Sequence, residues 1–283
     1  MSSAERVWLI TGCSTGFGRE LVRQILDRGQ RVVATARTPS ALDEFASHPQ
    51  AVIAELDVTV PEQVNAVVRI TQARFGRIDV LVNNAGYGYL AAIEEGEEKE
   101  VCAMFETNVF GLIRITKAVL PVMRGQGSGH IVNISSMGGL IGIAGVGYYN
   151  ATKFAVEGLS EALAKEVAPL GIRVTIVEPG PFRTDWAGRS LKTPKTPIAA
   201  YAETAGARRT AIRGYSGNQP GDPVRGAAAM IDAVEAANPP LHLLLGKPAF
   251  DMVNEKLRTF AAELTAWREV TLGADFPADR ASR

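Results

Sequence analysis

Short, almost uninterrupted apolar runs alternate with stretches of helical periodicity along most of the chain, and this alternation constrains the fold more than any other feature. Val7–Thr11, Arg31–Ala36, Ala51–Asp57, Ile78–Val82, His130–Ile134, Arg173–Glu178 and Leu241–Leu245 read as strands. Solidly apolar strands are what a parallel sheet covered on both faces requires. Arg19–Asp27, Pro61–Phe75, Val101–Met123 and Tyr148–Leu170 have helical spacing and fall between the runs. Pro61 suits a first helical turn, while Gly29 and Pro179-Gly180 end their elements. The expected class is α/β: one domain over residues 1–283, built as a doubly wound parallel sheet with helices on both faces.

Three regions need separate treatment. Trp186–Pro223 is rich in Pro, Gly, Thr and Arg and reads as a long loop. Loops of that length are usually functional, so 186–223 is expected to meet substrate. Beyond Gly246, Phe250, Val253, Leu257, Phe260, Leu264 and Trp267 lie on one face of a helix covering 247–272. That face is expected to pack on the core, with a subunit contact or a pocket cover as alternatives. Ile131–Tyr149 is apolar and almost free of charge, as a membrane span would be. Asn133, Ser135, Ser136 and five glycines from Gly138 to Gly147 suit a strand and loop better.

Lys plus Arg and Asp plus Glu number 30 each, so no basic excess points to nucleic acid or a membrane surface. Cys13 and Cys102 are too few for a disulfide framework, and the N-terminal apolar run is too short for a signal peptide. A reducing, cytoplasmic location is expected. His48, His130 and His242 are scattered without metal-ligand spacing, read as structural or surface residues, and no metal is expected.

The segment Thr11-Gly12-Cys13-Ser14-Thr15-Gly16-Phe17-Gly18 joins the first strand to the first helix. Unpaired N–H groups and partial positive charge at a helix start suit a pyrophosphate, and glycines let the backbone approach it. Cys13 reads as a small filler. The second strand ends in Ala36-Arg37, with no carboxylate to accept from a ribose. A guanidinium there matches a 2′-phosphate and favours NADP(H) over NAD(H). Tyr149 and Lys153 are four apart on one helical face, where an ammonium is expected to lower the phenol pKa. Ser136 ends a strand thirteen residues earlier and could hold a substrate oxygen beside that phenol.

With these motifs in order, the chain resembles the short-chain dehydrogenase/reductase family from Val7 to about Thr184. Thr11-Gly12-x-x-x-Gly16-x-Gly18 looks like its cofactor turn, with Ser14, Thr15 and Phe17 inside it. Asp57-Val58 resembles its adenine-contacting pair, and Asn83-Asn84-Ala85-Gly86 its fourth-strand motif. Pro179-Gly180-Pro181-Phe182-Arg183-Thr184 is similar to the segment that touches the nicotinamide amide. The resemblance implies a Rossmann-type fold with NADP(H) bound and Tyr149 as general acid/base. It also implies that Lys153 binds the nicotinamide ribose, Ser136 orients the carbonyl and Asn108 holds a water in a proton relay.

A looser likeness, through Phe154-Ala155-Val156-Glu157-Gly158-Leu159, is to the 17β-hydroxysteroid and retinol dehydrogenases. Candidate pocket residues Tyr87, Tyr89, Met137, Leu140, Ile143, Phe182 and Trp186 are mostly apolar, which suggests an uncharged, fairly hydrophobic carbonyl/alcohol pair. Helices Val101–Met123 and Tyr148–Leu170 are apolar on more than one face, and the resemblance implies a homodimer or homotetramer. A cofactor-binding sensor without turnover, or an epimerase or dehydratase, is the competing reading.

Overall fold

A computed structural model describes residues 6–188 and 191–276. In chain order the elements begin with β1 (Val7–Ile10), α1 (Gly16–Asp27), β2 (Arg31–Ala36), α2 (Asp43–Ala46), β3 (Ala51–Glu55), α3 (Pro61–Phe75), β4 (Val80–Asn83) and β5 (Gly88–Tyr89). They continue with α4 (Glu98–Phe105), α5 (Leu112–Gln126), β6 (Gly129–Ile134), α6 (Gly147–Val167), β7 (Ile172–Pro179) and β8 (Leu191–Lys192). The last are α7 (Ala207–Tyr215), α8 (Pro223–Glu235), β9 (His242–Leu245), α9 (Lys247–Ala266) and α10 (Arg268–Leu272).

Seven strands form one parallel sheet in the order β3-β2-β1-β4-β6-β7-β9. The expected Rossmann-type doubly wound sheet is therefore present. Side chains alternate between its two faces. Trp8, Ile10, Val32 and Ala34 pack with Leu21 and Ile25 of α1 and with Met230 and Ile231 of α8. Leu9, Val33, Leu81 and Ile131 pack on the other face with Val64 of α3, Ile115 of α5 and Leu163 of α6. Every one of these side chains is buried, which is why the strands read as solid apolar runs. Ile131–Tyr149 is the end of β6, a loop and the start of α6. No described helix is long and apolar enough to cross a membrane.

Four features depart from expectation. The long helix over Val101–Met123 is α4 and α5 joined by a π-helical turn at Glu106–Gly111. This turn holds Asn108 in the interior, 1% exposed. Single π turns of this kind often occur at functional sites. Helix α8 lies between β7 and β9, where no helix was read. Asp222 caps it by accepting from Val224 N at 2.8 Å, Pro223 occupies its first turn, and Ala227, Met230, Ile231 and Val234 face the core.

The third departure is 186–223, which is not one loop. Its described part holds β8 paired with β5, a π turn at Ala202–Gly206, and α7. The anchor is Glu95, whose carboxylate lies buried against Arg209, with contacts of 2.5 and 3.1 Å to the guanidinium. The same carboxylate accepts from Ala92 N at 2.8 Å and Ile198 N at 3.0 Å. The fourth is the C-terminal helix. Only Ala249 and Val253 of α9 are buried, while Phe250, Leu257 and Trp267 are 62, 60 and 65% exposed. Beyond Val253 the apolar face does not pack on the core, because α9 meets the body only through its first two turns.

The Arg209 guanidinium holds the Glu95 carboxyl well below its usual range, at about 2. A carboxylate lowered on folding adds stability above its unfolded pKa and loses it as pH falls towards the folded value. Glu95→Ala leaves Arg209 buried without its partner and should cost on the order of 3 kcal/mol. Chemical denaturation at pH 7 and pH 3 checks this. The difference between wild type and variant should shrink at the lower pH, and proteolysis of the variant should begin within residues 191–219.

Candidate functional site

Strand order reverses between β1 and β4, which opens a crevice at the carboxyl ends of the strands. The turn after β1 is clamped across that crevice. Thr11 Oγ1 accepts from Asn84 N and Ala85 N, both at 3.0 Å. Asn84 Nδ2 donates to Thr11 O at 3.0 Å and Gly12 O at 2.8 Å. Gly12 and Gly16 have φ of 71° and 59°, a region that favours glycine. A Cβ on Gly18 would lie 2.5 Å from Gly12 O, so Gly18 serves close packing of α1 against the turn. Thr15, at the cap of α1, makes no side-chain hydrogen bond to the helix start. The Cys13 thiol is buried, donates to Ile10 O and is pushed up to about 12 by burial, as a filler would be.

A cavity of about 680 Å³ runs along this edge. It is lined by Gly12, Ser14, Thr15, Gly16, Phe17, Arg37, Asp57, Val58, Asn84, Ala85, Gly86 and Thr184. Arg37 is exposed and has no hydrogen-bond or ion-pair partner among the described residues. Asp57 accepts from the Thr59 amide at 2.9 Å and the Thr59 hydroxyl at 2.7 Å, which fixes its carboxylate at the rim.

A second cavity, about 470 Å³, adjoins the first through shared Phe17, Asn84, Gly86, Tyr87, Thr184 and Trp186. Ser136, Tyr149, Lys153, Pro179, Gly180 and Phe182 line it. Ser136 follows β6 and accepts from Gly138 N at 3.0 Å. Tyr149 and Lys153 sit one turn apart in α6, both buried. Tyr149 packs against Trp186 with ring centres 5.2 Å apart. Lys153 Nζ donates to Ile134 O at 2.7 Å and lies 5.7 Å from the Tyr149 ring centre.

Burial decides the electrostatics here. It pushes the Tyr149 phenol up to about 12, outweighing the lowering effect of the Ser136 hydroxyl. It pulls the Lys153 ammonium down to about 8, against the raising effect of Glu157. The expected lowering of the phenol by Lys153 is absent, because the low-dielectric surroundings penalise both charges. Asn108 lines neither cavity. Its Oδ1 accepts from Tyr87 N at 3.0 Å, and its Nδ2 donates to Tyr87 O at 2.9 Å and Thr152 Oγ1 at 3.2 Å. Of the expected pocket residues, Tyr87, Met137, Ile143, Phe182 and Trp186 are in place. Tyr89 is wholly buried in a neighbouring cluster, and Leu140 lies outside the cavity.

Sequence reading missed two groups. Asn150 Nδ2 donates to Gly138 O at 2.8 Å, and Asn150 Oδ1 accepts from Ile143 N at 2.9 Å, pinning the loop after Ser136 to α6. Its adjacency to Tyr149 was the available signal. Arg208, Ile212 and Tyr215 of α7, with Met252 of α9, close the far side of the smaller cavity. Nothing local in the sequence assigned them there.

A family model described as short chain dehydrogenase matches residues 6–195. Oxidoreductase BOA17 of Botryotinia fuckeliana is 40% identical over 273 residues, covering 95% of this chain and 99% of its own length. The crystal structure of a short-chain dehydrogenase from Streptomyces avermitilis has 46% identity and a TM-score of 0.90, covering 96% of this chain and 99% of that one. A short chain dehydrogenase/reductase from Burkholderia phymatum in complex with NAD has 25% identity and a TM-score of 0.81, covering 94% and 97% of the two chains. ElxO with NADP bound has 28% identity and a TM-score of 0.70, covering 85% and 96%. With the family model spanning more than half of the sequence and BOA17 aligned almost end to end, the chain belongs to the short-chain dehydrogenase/reductase family of oxidoreductases.

Proposed function

We propose that this oxidoreductase uses NADP(H) to interconvert an uncharged, fairly hydrophobic carbonyl compound and its alcohol, with Tyr149 as the proton-transfer group. The observation that carries the proposal is the Ser136–Tyr149–Lys153 group, with Tyr149 and Lys153 buried, opening onto a largely apolar cavity that is itself joined to the crevice at the glycine turn. Related structures hold NAD in one case and NADP in another. The residues fit a dinucleotide. Gly12 and Gly16 leave the turn open, and any Cβ on Gly86 would come within 3.1 Å of Asn108 Oδ1 at the floor of the crevice. Arg37, exposed and unpaired among the described residues, favours the 2′-phosphate of NADP(H). Asp57 and Val58 would border the adenine, Ser14, Thr15, Gly16 and Phe17 the pyrophosphate, and Pro179, Gly180, Phe182 and Thr184 the nicotinamide.

When bound, the nicotinamide supplies or accepts the hydride. Tyr149 keeps its proton at neutral pH, which is the state needed to donate to a carbonyl oxygen during reduction. Ser136 would hold that same oxygen. Lys153, mostly charged at neutrality, would stabilise the phenolate that proton transfer leaves. Asn108 spends its amide on Tyr87 and Thr152, so we assign it to positioning the Gly86–Tyr87 backbone rather than to a water. The complete catalytic group disfavours a sensor without turnover.

Arg208 supports a second substrate reading. It lines the smaller cavity and has no hydrogen-bond or ion-pair partner among the described residues, which favours a hydrophobic carbonyl bearing a remote carboxylate. A panel of neutral ketones and matched keto acids separates the two readings. Partners are otherwise small molecules. A homodimer or homotetramer is supported by Phe110 and Phe154, 52 and 47% exposed on the expected helices.

NADPH should give a higher kcat/KM than NADH on any active substrate. Arg37→Asp should weaken NADPH by about 1.5–3 kcal/mol, the loss of a charge-assisted hydrogen bond. Equal values for the two cofactors would contradict the assignment. Tyr149→Phe should cut reductive kcat by about 10²–10⁴ while leaving NADPH affinity nearly unchanged. Because the Lys153 ammonium is pulled down to about 8, reductive kcat/KM should be level below neutrality and fall as pH rises through about 8. A profile that rises there would oppose a cationic Lys153.

A further inference from the structure

Outside the two cavities, Glu157 of α6, Glu178 of β7 and His242 of β9 converge. Glu178 and Glu157 are 0 and 4% exposed. The His242 side chain is 38% exposed and forms the way in from solvent. One ligand atom from each residue lies within 4.8 Å of the others. His242 Nδ1 is 2.7 Å from Glu178 Oε1 and 3.9 Å from Glu157 Oε2. The Ser135 hydroxyl donates to Glu157 Oε1. The second oxygens, Glu157 Oε2 and Glu178 Oε2, are buried and have no hydrogen-bond partner. No Lys or Arg forms an ion pair with either carboxylate among the described residues, and Lys153 acts on Glu157 only at longer range. Two buried carboxylates thus share one imidazole, an arrangement that is costly unless something else supplies positive charge.

We propose that Glu157, Glu178 and His242 form a binding site for one divalent cation of the zinc class, entered from solvent past His242. Zinc takes imidazole nitrogen and carboxylate oxygen at about 2.0–2.2 Å, which sets tetrahedral ligand atoms about 3.3–3.5 Å apart. The observed 2.7 and 3.9 Å from the imidazole bracket that spacing, and the three ligand atoms lie within 4.8 Å of one another, so side-chain adjustments of an ångström or so bring them to it. Two carboxylates and a neutral imidazole leave a dication electrically balanced, and a water from the exposed side fills the fourth position. On the other edge of the ring, His242 Nε2 lies 3.9 Å from Glu161 Oε1, a carboxylate placed to orient the imidazole. Burial pushes Glu157 up to about 7 and raises Glu178 as well. The ligands come from three elements, with 64 positions between Glu178 and His242 alone, so local spacing does not reveal them.

The three ligands line neither cavity, although the charge of Glu157 acts on Lys153 one turn earlier in α6, and the test needs no substrate. Protein freed of metal by a chelator is titrated with zinc chloride calorimetrically at pH 7.5 and melted with and without zinc. Wild type should take up one tight equivalent and melt higher. His242→Ala should weaken that equivalent at least about tenfold, in line with loss of a ligand. His242→Arg supplies a fixed cation to the same carboxylates. It should fold, melt at least as high as metal-free wild type and give no zinc response. If wild type shows no zinc-dependent rise, the cluster is not a zinc site and the proposal fails. It fails equally if His242→Ala or His242→Arg keeps the wild-type affinity, since zinc then binds elsewhere.

Discussion

Everything at the site depends on the clamp between the ends of β1 and β4. Thr11 and Asn84 exchange side-chain and backbone hydrogen bonds across the point where strand order reverses. Each bond contributes about 1 kcal/mol net, but the geometric effect is larger. The clamp holds the glycine turn open beside Ala85 and Gly86 and fixes the start of α1 over the crevice. Asn108 then ties Tyr87 to α6 through Thr152, and Asn150 ties the loop after Ser136 to the same helix. Tyr149 is thus held between two loops whose positions are set by side-chain amides.

Along the buried face of α6, Tyr149, Lys153 and Glu157 follow at steps of four. Burial acts against each ionised form: the phenol rises to about 12, the ammonium falls to about 8 and the carboxylate rises to about 7. The free protein accordingly favours a protonated phenol and a lysine poised near neutrality. A partner that brings positive charge to Tyr149 would move the phenol towards ionisation.

The sheet is legible because its central strands β1, β2, β4 and β6 are buried on both faces, so their apolar runs are continuous. The glycine turn and the Tyr149–Lys153 pair were legible because their geometry is local. What escaped is set by distance along the chain. The segment from 191 to 219 folds because Arg209 reaches a carboxylate 114 positions away, and Pro, Gly and Thr within it masked α7. Helix α8 carried a readable Asp222-Pro223 start, but its small residues, Gly226 and Ala227, gave a weak periodicity. Gly226 is small because a Cβ there would lie 2.7 Å from Phe17. The stripe on α9 marks a helical face, yet periodicity alone does not say what a face meets. Spacing reveals the charge of Lys153 near the phenol but not the burial that raises the Tyr149 pKa.

The most direct test of the account is a crystal structure of the protein grown with NADPH. The pyrophosphate should lie over Gly12–Gly18, the 2′-phosphate within about 3 Å of the Arg37 guanidinium, and the nicotinamide between Phe182 and Tyr149. A dinucleotide bound elsewhere, or one whose 2′-phosphate points away from Arg37 into solvent, would contradict it.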